Sequence, residues 1–102
     1  MKRVMVRYKV KPEFVAENGR DIKRVFEQLA DERPPGPRYA SFKLADGVSF
    51  MHIASLETID DRSPLSELPA FNAFTAAVER RCAEHLVVTN LTEVGSYQMF
   101  ED

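Results

Sequence analysis

The chain carries one cysteine, Cys82, and two histidines, His52 and His85. Cys82 and His85 lie three residues apart in the run Glu79–His85, ERRCAEH, on what reads as a helix. Side chains at that spacing can share a metal or haem iron, or act as nucleophile and base. Packing is the simpler reading. Leu68, Phe71, Phe74, Val78, Cys82 and Leu86 recur at steps of three and four, which puts Cys82 inside an apolar stripe. A nucleophilic thiol needs access and a depressed pKa, and such a stripe denies both. His85 falls at the edge of the stripe, in the helix's last turn, where the dipole favours a protonated ring. A zinc site needs two further ligands, and His52 is on a separate element.

His52 carries the sharper chemistry. It sits mid-strand with Val48, Phe50, Ala54 and Leu56 on its face, where a solvated imidazole is not expected. If that face lines a pocket, His52 can accept a proton from, or polarise, an acidic phenol or enol. The plainer reading is a hydrogen-bonded core or interface histidine. Tyr8, Tyr39 and Tyr97 each offer an apolar body with one donor, and Phe50 and Phe71 offer ring surface. Arg7 and Arg38 are candidates for a substrate carboxylate, although strand arginines are mostly solvated or paired. Arg80 and Arg81 lie off the apolar stripe and read as a solvated face.

The elements that must position these residues follow from period and punctuation. Residues 3–11 alternate, with Val4, Val6, Tyr8 and Val10 on one strand face. Pro12 suits the first turn of a helix running to about Glu32. Its stripe is Phe14, Asn18, Ile22, Val25, Phe26 and Leu29. Pro34-Pro35-Gly36-Pro37 must end it. Residues 38–45 and 48–56 read as a hairpin around Asp46-Gly47, with the third strand apolar on both faces. A polar connection from Glu57 to Ser63 leads to a helix over about Pro69 to Ala83. Leu86 to Phe100 is strand-like, with a break or bulge at Gly95-Ser96. The order β-α-β-β-α-β predicts a single α+β domain over residues 1–102, a ferredoxin-like plait with both helices on one face of an antiparallel sheet. The bare face then needs cover, and a homodimer packing sheet against sheet supplies it.

Composition excludes several function classes. The 102 residues are 44% hydrophobic and 29% charged, with a net charge of −2. That balance offers no general field for nucleic acid or an anionic membrane surface. No apolar run approaches the roughly 20 residues that span a bilayer. One cysteine excludes an internal disulfide and suits a reducing compartment, and no charged-then-apolar leader is evident. The expectation is a cytoplasmic protein.

Three stretches carry a family resemblance: SPLSELPAFNAF (Ser63–Phe74), ERRC (Glu79–Cys82) and LVVTNLTEVGSY (Leu86–Tyr97). Together they resemble antibiotic biosynthesis monooxygenase-type domains, in a branch with a Leu-Pro-Ala-Phe helix start and a Val-Gly-Ser-Tyr ending. The likeness is close from about Gly47 to Phe100 and looser before it. It implies a dimeric α/β barrel with a pocket between each sheet and its helices. The superfamily holds cofactor-free oxygenases of polyketide-like aromatics, haem-degrading enzymes, and members without a known activity. Cofactor-independent members use an Asn/Trp/Arg-like set, whereas this chain has no Trp, and Asn18, Asn72 and Asn90 match no such position clearly. Haem-degrading members place an Asn on the first strand, a Trp on the second helix and a His near its end. Here His85 alone stands in a comparable place.

The reading that follows is a cofactor-independent monooxygenase of a small hydrophobic aromatic or enolic substrate. His52 is its base or polariser, and Tyr8, Tyr97, Phe50 and Phe71 line the site, with no cofactor or metal. The alternatives are a non-catalytic small-ligand-binding homodimer and a haem protein ligated by His85.

Overall fold

The structure, a computed structural model, describes residues 2–56 and 64–99. Strand β1 (Lys2–Val10) is followed by a single 3-10 turn at Pro12–Phe14 and helix α1 (Val15–Glu32). Pro12 stands where a helix has no use for a backbone N–H. Arg33 closes α1 in the left-handed conformation, φ 45°, with its N–H on the Leu29 carbonyl at 2.8 Å. The proline-rich segment behind it cannot extend the helix. Strands β2 (Arg38–Lys43) and β3 (Ser49–Leu56) come next. A 3-10 turn at Pro64–Glu67, helix α2 (Pro69–Arg81) and strand β4 (Cys82–Asn90) complete the order.

The sheet is antiparallel throughout, in the order β2-β3-β1-β4. This is the expected ferredoxin-like α+β plait. Val25 of α1 and Phe74 and Val78 of α2 close over Tyr8, Val10 and Phe50, so both helices cover one face. The register decides which face that is. Tyr39, Ser41 and Lys43 of β2 stand opposite Ala54, His52 and Phe50 of β3. Val4, Val6 and Tyr8 of β1 complete these rows, so the His52 face is the helix face. The other face carries Ala40, Ile53 and Met5 in one row and Phe42, Met51, Arg7 and Val87 in the next. No helix among the described residues is long and apolar enough to cross a membrane.

Three local expectations are corrected. The β2–β3 connection is longer than a two-residue hairpin. Asp46 folds it, because Oδ1 accepts the backbone N–H of Val48 at 3.0 Å and of Ser49 at 2.8 Å. This side chain-to-backbone turn takes Leu44 and Val48 out of the strands. Helix α2 ends at Arg81 rather than Ala83. Cys82 is already extended, φ −76° and ψ 129°, and the Arg81 carbonyl accepts the Lys11 N–H at 2.8 Å. Strand β4 therefore begins with no loop, and it spans the nine residues Cys82–Asn90 rather than starting at Leu86. Beyond Asn90 the described chain is irregular, although the Leu91 N–H still reaches the Arg3 carbonyl at 2.9 Å. The Glu57–Ser63 connection, with Asp60 and Asp61, and Phe100 lie outside the described residues.

The core makes a direct prediction. Phe74→Ala should lower the unfolding free energy by about 3–5 kcal/mol in a urea titration. Ala76→Ser, on the exposed side of α2, should change it by no more than about 0.5 kcal/mol. A Phe74→Ala loss no larger than that of Ala76→Ser would contradict the packing described.

Candidate active site

His52 is placed by the pleat of β3 and is 3% exposed. Both ring nitrogens are bonded. Nε2 lies 2.8 Å from the Tyr8 hydroxyl, and Nδ1 lies 2.6 Å from the Ser41 hydroxyl and 3.2 Å from that of Tyr39. Ser41 reaches it because the two residues are direct cross-strand partners. From Tyr8 the bonding continues inward: the Asn18 amide nitrogen donates to the Tyr8 oxygen at 3.0 Å, and Arg81 donates to Asn18 Oδ1 at 3.2 Å. Asn18 is 0% exposed and Arg81 1% exposed. Arg81 also donates to Glu17 at 2.8 Å and to Asp21. No buried side-chain polar atom among the described residues lacks a partner. A polar path thus runs from the α2–β4 junction, across the foot of α1, to the edge strand β2.

Rings stack along the same path. Phe50 and Tyr8 are 5.8 Å apart between centroids, Tyr8 and His52 5.4 Å, His52 and Tyr39 5.9 Å, and Tyr39 and Phe26 5.3 Å. Their planes lie within 16° of parallel. Phe74 tilts against His52 at 5.4 Å, and Phe71 meets the Tyr39 ring edge-on at 6.2 Å. The aromatic surroundings explain the titration of the site. Burial lowers the His52 pKa to about 4, because an imidazolium there loses its hydration. Burial raises Tyr39 to about 12, against a smaller opposing hydrogen bond from Ser41. It also raises Tyr8 well above the ordinary phenol range, and the Asn18 bond only partly opposes this. At neutral pH the cluster holds a neutral imidazole and two neutral phenols. The near-neutral histidine expected from sequence is therefore corrected: His52 is a weak base.

The path meets a cleft of about 560 Å³ at Ser41. Pro12, Val15, Gly19 and Ile22 form its helical wall, and Ser41, Phe42, Lys43 and Phe50 lie on its sheet side. Gly19 leaves the space beside α1 open, with nothing within 4 Å of where a Cβ would stand. The arrangement is a largely apolar slot with one hydroxyl, Ser41, tied to a buried neutral imidazole, and one cationic side chain, Lys43, on the β2 side.

The structure brings His52, Tyr8 and Phe50 together, with Phe71 one ring further out. It does not bring Tyr97 to them. Tyr97 is 86% exposed in the irregular segment after β4. Cys82 and His85 do not pair. Both lie on β4, where Cys82 partners Val10 and its thiol donates to the Val78 carbonyl at 3.3 Å. Burial, then the Glu79 charge, pushes that thiol up, away from thiolate chemistry. The His85 side chain is 94% exposed, 3.5 Å from Glu79, and caps no helix. No three His, Cys, Asp or Glu side chains among the described residues gather as a metal-binding set. Arg7 and Arg38 are exposed, as expected. Arg81 overturns its solvated reading. Asn18, Ser41 and Arg81 belong to the site although residue type alone does not single them out, and each carries a signal in the sequence. Asn18 interrupts an apolar stripe, Ser41 shares a face with Tyr39, and Arg81 follows Phe74 and Val78 at steps of four and three.

No family model and no curated protein matches the sequence. Solved structures do match in fold. A Nitrosomonas europaea protein, provisionally described as an antibiotic biosynthesis monooxygenase, aligns with a TM-score of 0.76 at 20% identity, over 93% of this chain and 100% of that one. A Caulobacter crescentus protein under the same provisional description gives 0.72 at 19% identity, over 92% and 90%. SnoaB of Streptomyces nogalater, described as a cofactor-independent oxygenase and solved as a variant, gives 0.61 at 18% identity, over 99% and 97%. The chain shares the fold of antibiotic biosynthesis monooxygenase structures over most of its length.

The depressed His52 pKa carries a stability signature. The folded protein resists protonation down to about pH 4, whereas an unfolded histidine titrates near 6.5. Between those values the unfolded chain binds more protons, so this contribution is complete above about pH 6.5 and is lost as pH falls toward 4. Moving from about pH 7 to about pH 5 should cost about 2 kcal/mol of unfolding free energy in wild type. His52→Gln should remove most of that pH dependence, and an unchanged dependence would contradict a neutral buried imidazole.

Proposed function

We propose that the protein is a cofactor-independent monooxygenase acting on a small, flat, hydrophobic aromatic or enolic substrate in the cleft beside α1. The observation that carries this is Ser41, a single hydroxyl at the wall of a largely apolar slot that Lys43 also lines, bonded at 2.6 Å to the buried neutral His52. Such substrates react with O₂ as electron-rich anions. An activated CH₂ becomes C=O, one oxygen atom staying on carbon and the other leaving as water. The protein's part is to exclude water, hold the ring, and stabilise the enolate or phenolate oxygen with a fixed dipole. Phe50 and the helical wall do the first two. His52 does the third through Ser41, as a polariser rather than a strong base. The fold shared with a cofactor-independent oxygenase supports the reaction class.

A homodimer is part of this proposal. The half-buried outer rows containing Met5, Ile53, Phe42 and Met51 form an apolar centre on the sheet face, beside the exposed Arg7, that no helix among the described residues covers. Isologous packing of two such faces is the expected cover. The exposed Tyr97 would then be available to the partner's site or to the rim, which keeps it within the proposed binding set. The single cysteine suits a cytoplasmic setting.

A second reading rests on the low basicity of His52: the same slot in a non-catalytic dimer that stores or senses a small phenolic metabolite. Oxygen uptake with a panel of phenols and quinols separates the two. The oxygenase reading expects uptake above blank, reduced on the order of 100-fold in kcat/KM by Ser41→Ala and by His52→Gln. Binding without uptake would move the protein to the second reading. Light scattering at micromolar concentration should give twice the chain mass, and a stable monomer would contradict the covered-face argument.

A further inference from the structure

The hydrogen-bond path to His52 has a direction, and Arg81 sets it. A guanidinium has only donors, so Arg81 must donate to Asn18. That places Asn18 Oδ1 on Arg81, at 3.2 Å, and turns its amide nitrogen to the Tyr8 oxygen, at 3.0 Å. Tyr8 thus accepts from Asn18 and still has its own O–H to give. Nε2 of His52, at 2.8 Å, is the partner for it. Were Nε2 itself protonated, Tyr8 would face two donors and its buried hydroxyl proton would meet neither acceptor. Leaving a buried donor unmet is the costlier arrangement, because its lost hydration is not replaced. The imidazole is therefore protonated at Nδ1, and Nδ1–H donates to Ser41. Ser41 keeps its own O–H, to give to the Tyr39 oxygen beside it or to an acceptor in the cleft.

We propose that Arg81 is a positioning residue for the cleft. Three hydrogen bonds from His52, it fixes the imidazole tautomer and so makes Ser41 a donor that selects ligands presenting an anionic oxygen. The tautomer stands on the geometry of the path alone. The preference for an anion rests on the cleft reading above. A merely structural Arg81, stapling α1 to the α2–β4 junction through Glu17 and Asp21, would leave both tautomer and preference indifferent to the orientation of Asn18.

Nitrogen-15 NMR of the whole chain with labelled histidine reads the tautomer directly at neutral pH. Wild type should show His52 protonated at Nδ1 and bare at Nε2, and the opposite pattern overturns the inference without any variant. Asn18→Asp keeps the size of the residue and its partner Arg81, but it can only accept from Tyr8. Tyr8 then turns its O–H to the carboxylate and accepts from His52, so the two ring-nitrogen signatures should exchange. Signatures unchanged in the variant overturn the route from Arg81. p-Nitrophenolate and its methyl ether, p-nitroanisole, probe the consequence. Wild type should bind the phenolate at least about tenfold tighter, and Asn18→Asp should erase the difference. Equal binding by a wild type protonated at Nδ1 would overturn the anion preference and the cleft reading, while the tautomer assignment would stand.

Discussion

A guanidinium buried at the junction of α2 and β4 is the constraint around which the rest is arranged. Taking Arg81 out of water is tolerable only if charges and dipoles replace its hydration, and removing the partners of such an ion costs about 3–5 kcal/mol. Helix α1 supplies the replacements from one face: Glu17, Asn18 and Asp21. Burial works against ionisation of Glu17, but Arg80 and Arg81 outweigh it and hold that carboxyl below its usual range. The spacing of those residues fixes how α1 is rotated about its axis. That rotation turns Val25 into the core and brings Asn18 against Tyr8. The same contact that settles a charge therefore settles a helix orientation and the surroundings of an imidazole.

The aromatic ladder works in the opposite sense. Phe50, Phe74 and Tyr39 exclude water around His52, and desolvation drives the ring neutral. A histidine kept neutral by apolar neighbours, yet bonded at both nitrogens, is a poor proton carrier and a well-held dipole. Its orientation rests on cross-strand register. Ser41 meets Nδ1 because β2 pairs with β3 in that register, and a slip of one residue would put Ala40 or Phe42 there instead.

Most of the fold was legible because it rests on period. Alternation marked β1, β2 and β3, the three-four stripe marked α1, and proline and glycine marked the boundaries. The ends of elements were less legible, for local reasons. Asp46 draws two backbone N–H groups onto its carboxylate and shortens both flanking strands, a choice between competing bonds that periodicity does not register. Helix α2 and β4 share a run in which Val78, Cys82 and Leu86 satisfy a helical stripe, although Cys82 and Leu86 reach the core from a strand. His52, Tyr8 and Phe50 were readable as a cluster because all three share the buried sheet face. Arg81 was not, because the sequence shows its charge but not its answering charges on α1, about 60 positions away. Asn18 was visible as an interruption and became meaningful only beside Tyr8.

The absence of any linking residue between α2 and β4 has a mechanical reading. A loop ordinarily lets a helix shift without disturbing the strand it feeds. Here the last helical residue, Arg81, is bonded to the first extended one, Cys82, so a tilt of α2 is passed directly into the alignment of β4 along β1. The register shifts between Arg7 and Lys9 and between Lys9 and Val10 fall beside this joint. The joint has no slack. One inserted residue there would swing Arg81 away from its acceptors and turn the following side chains to the wrong face of the sheet in a single step.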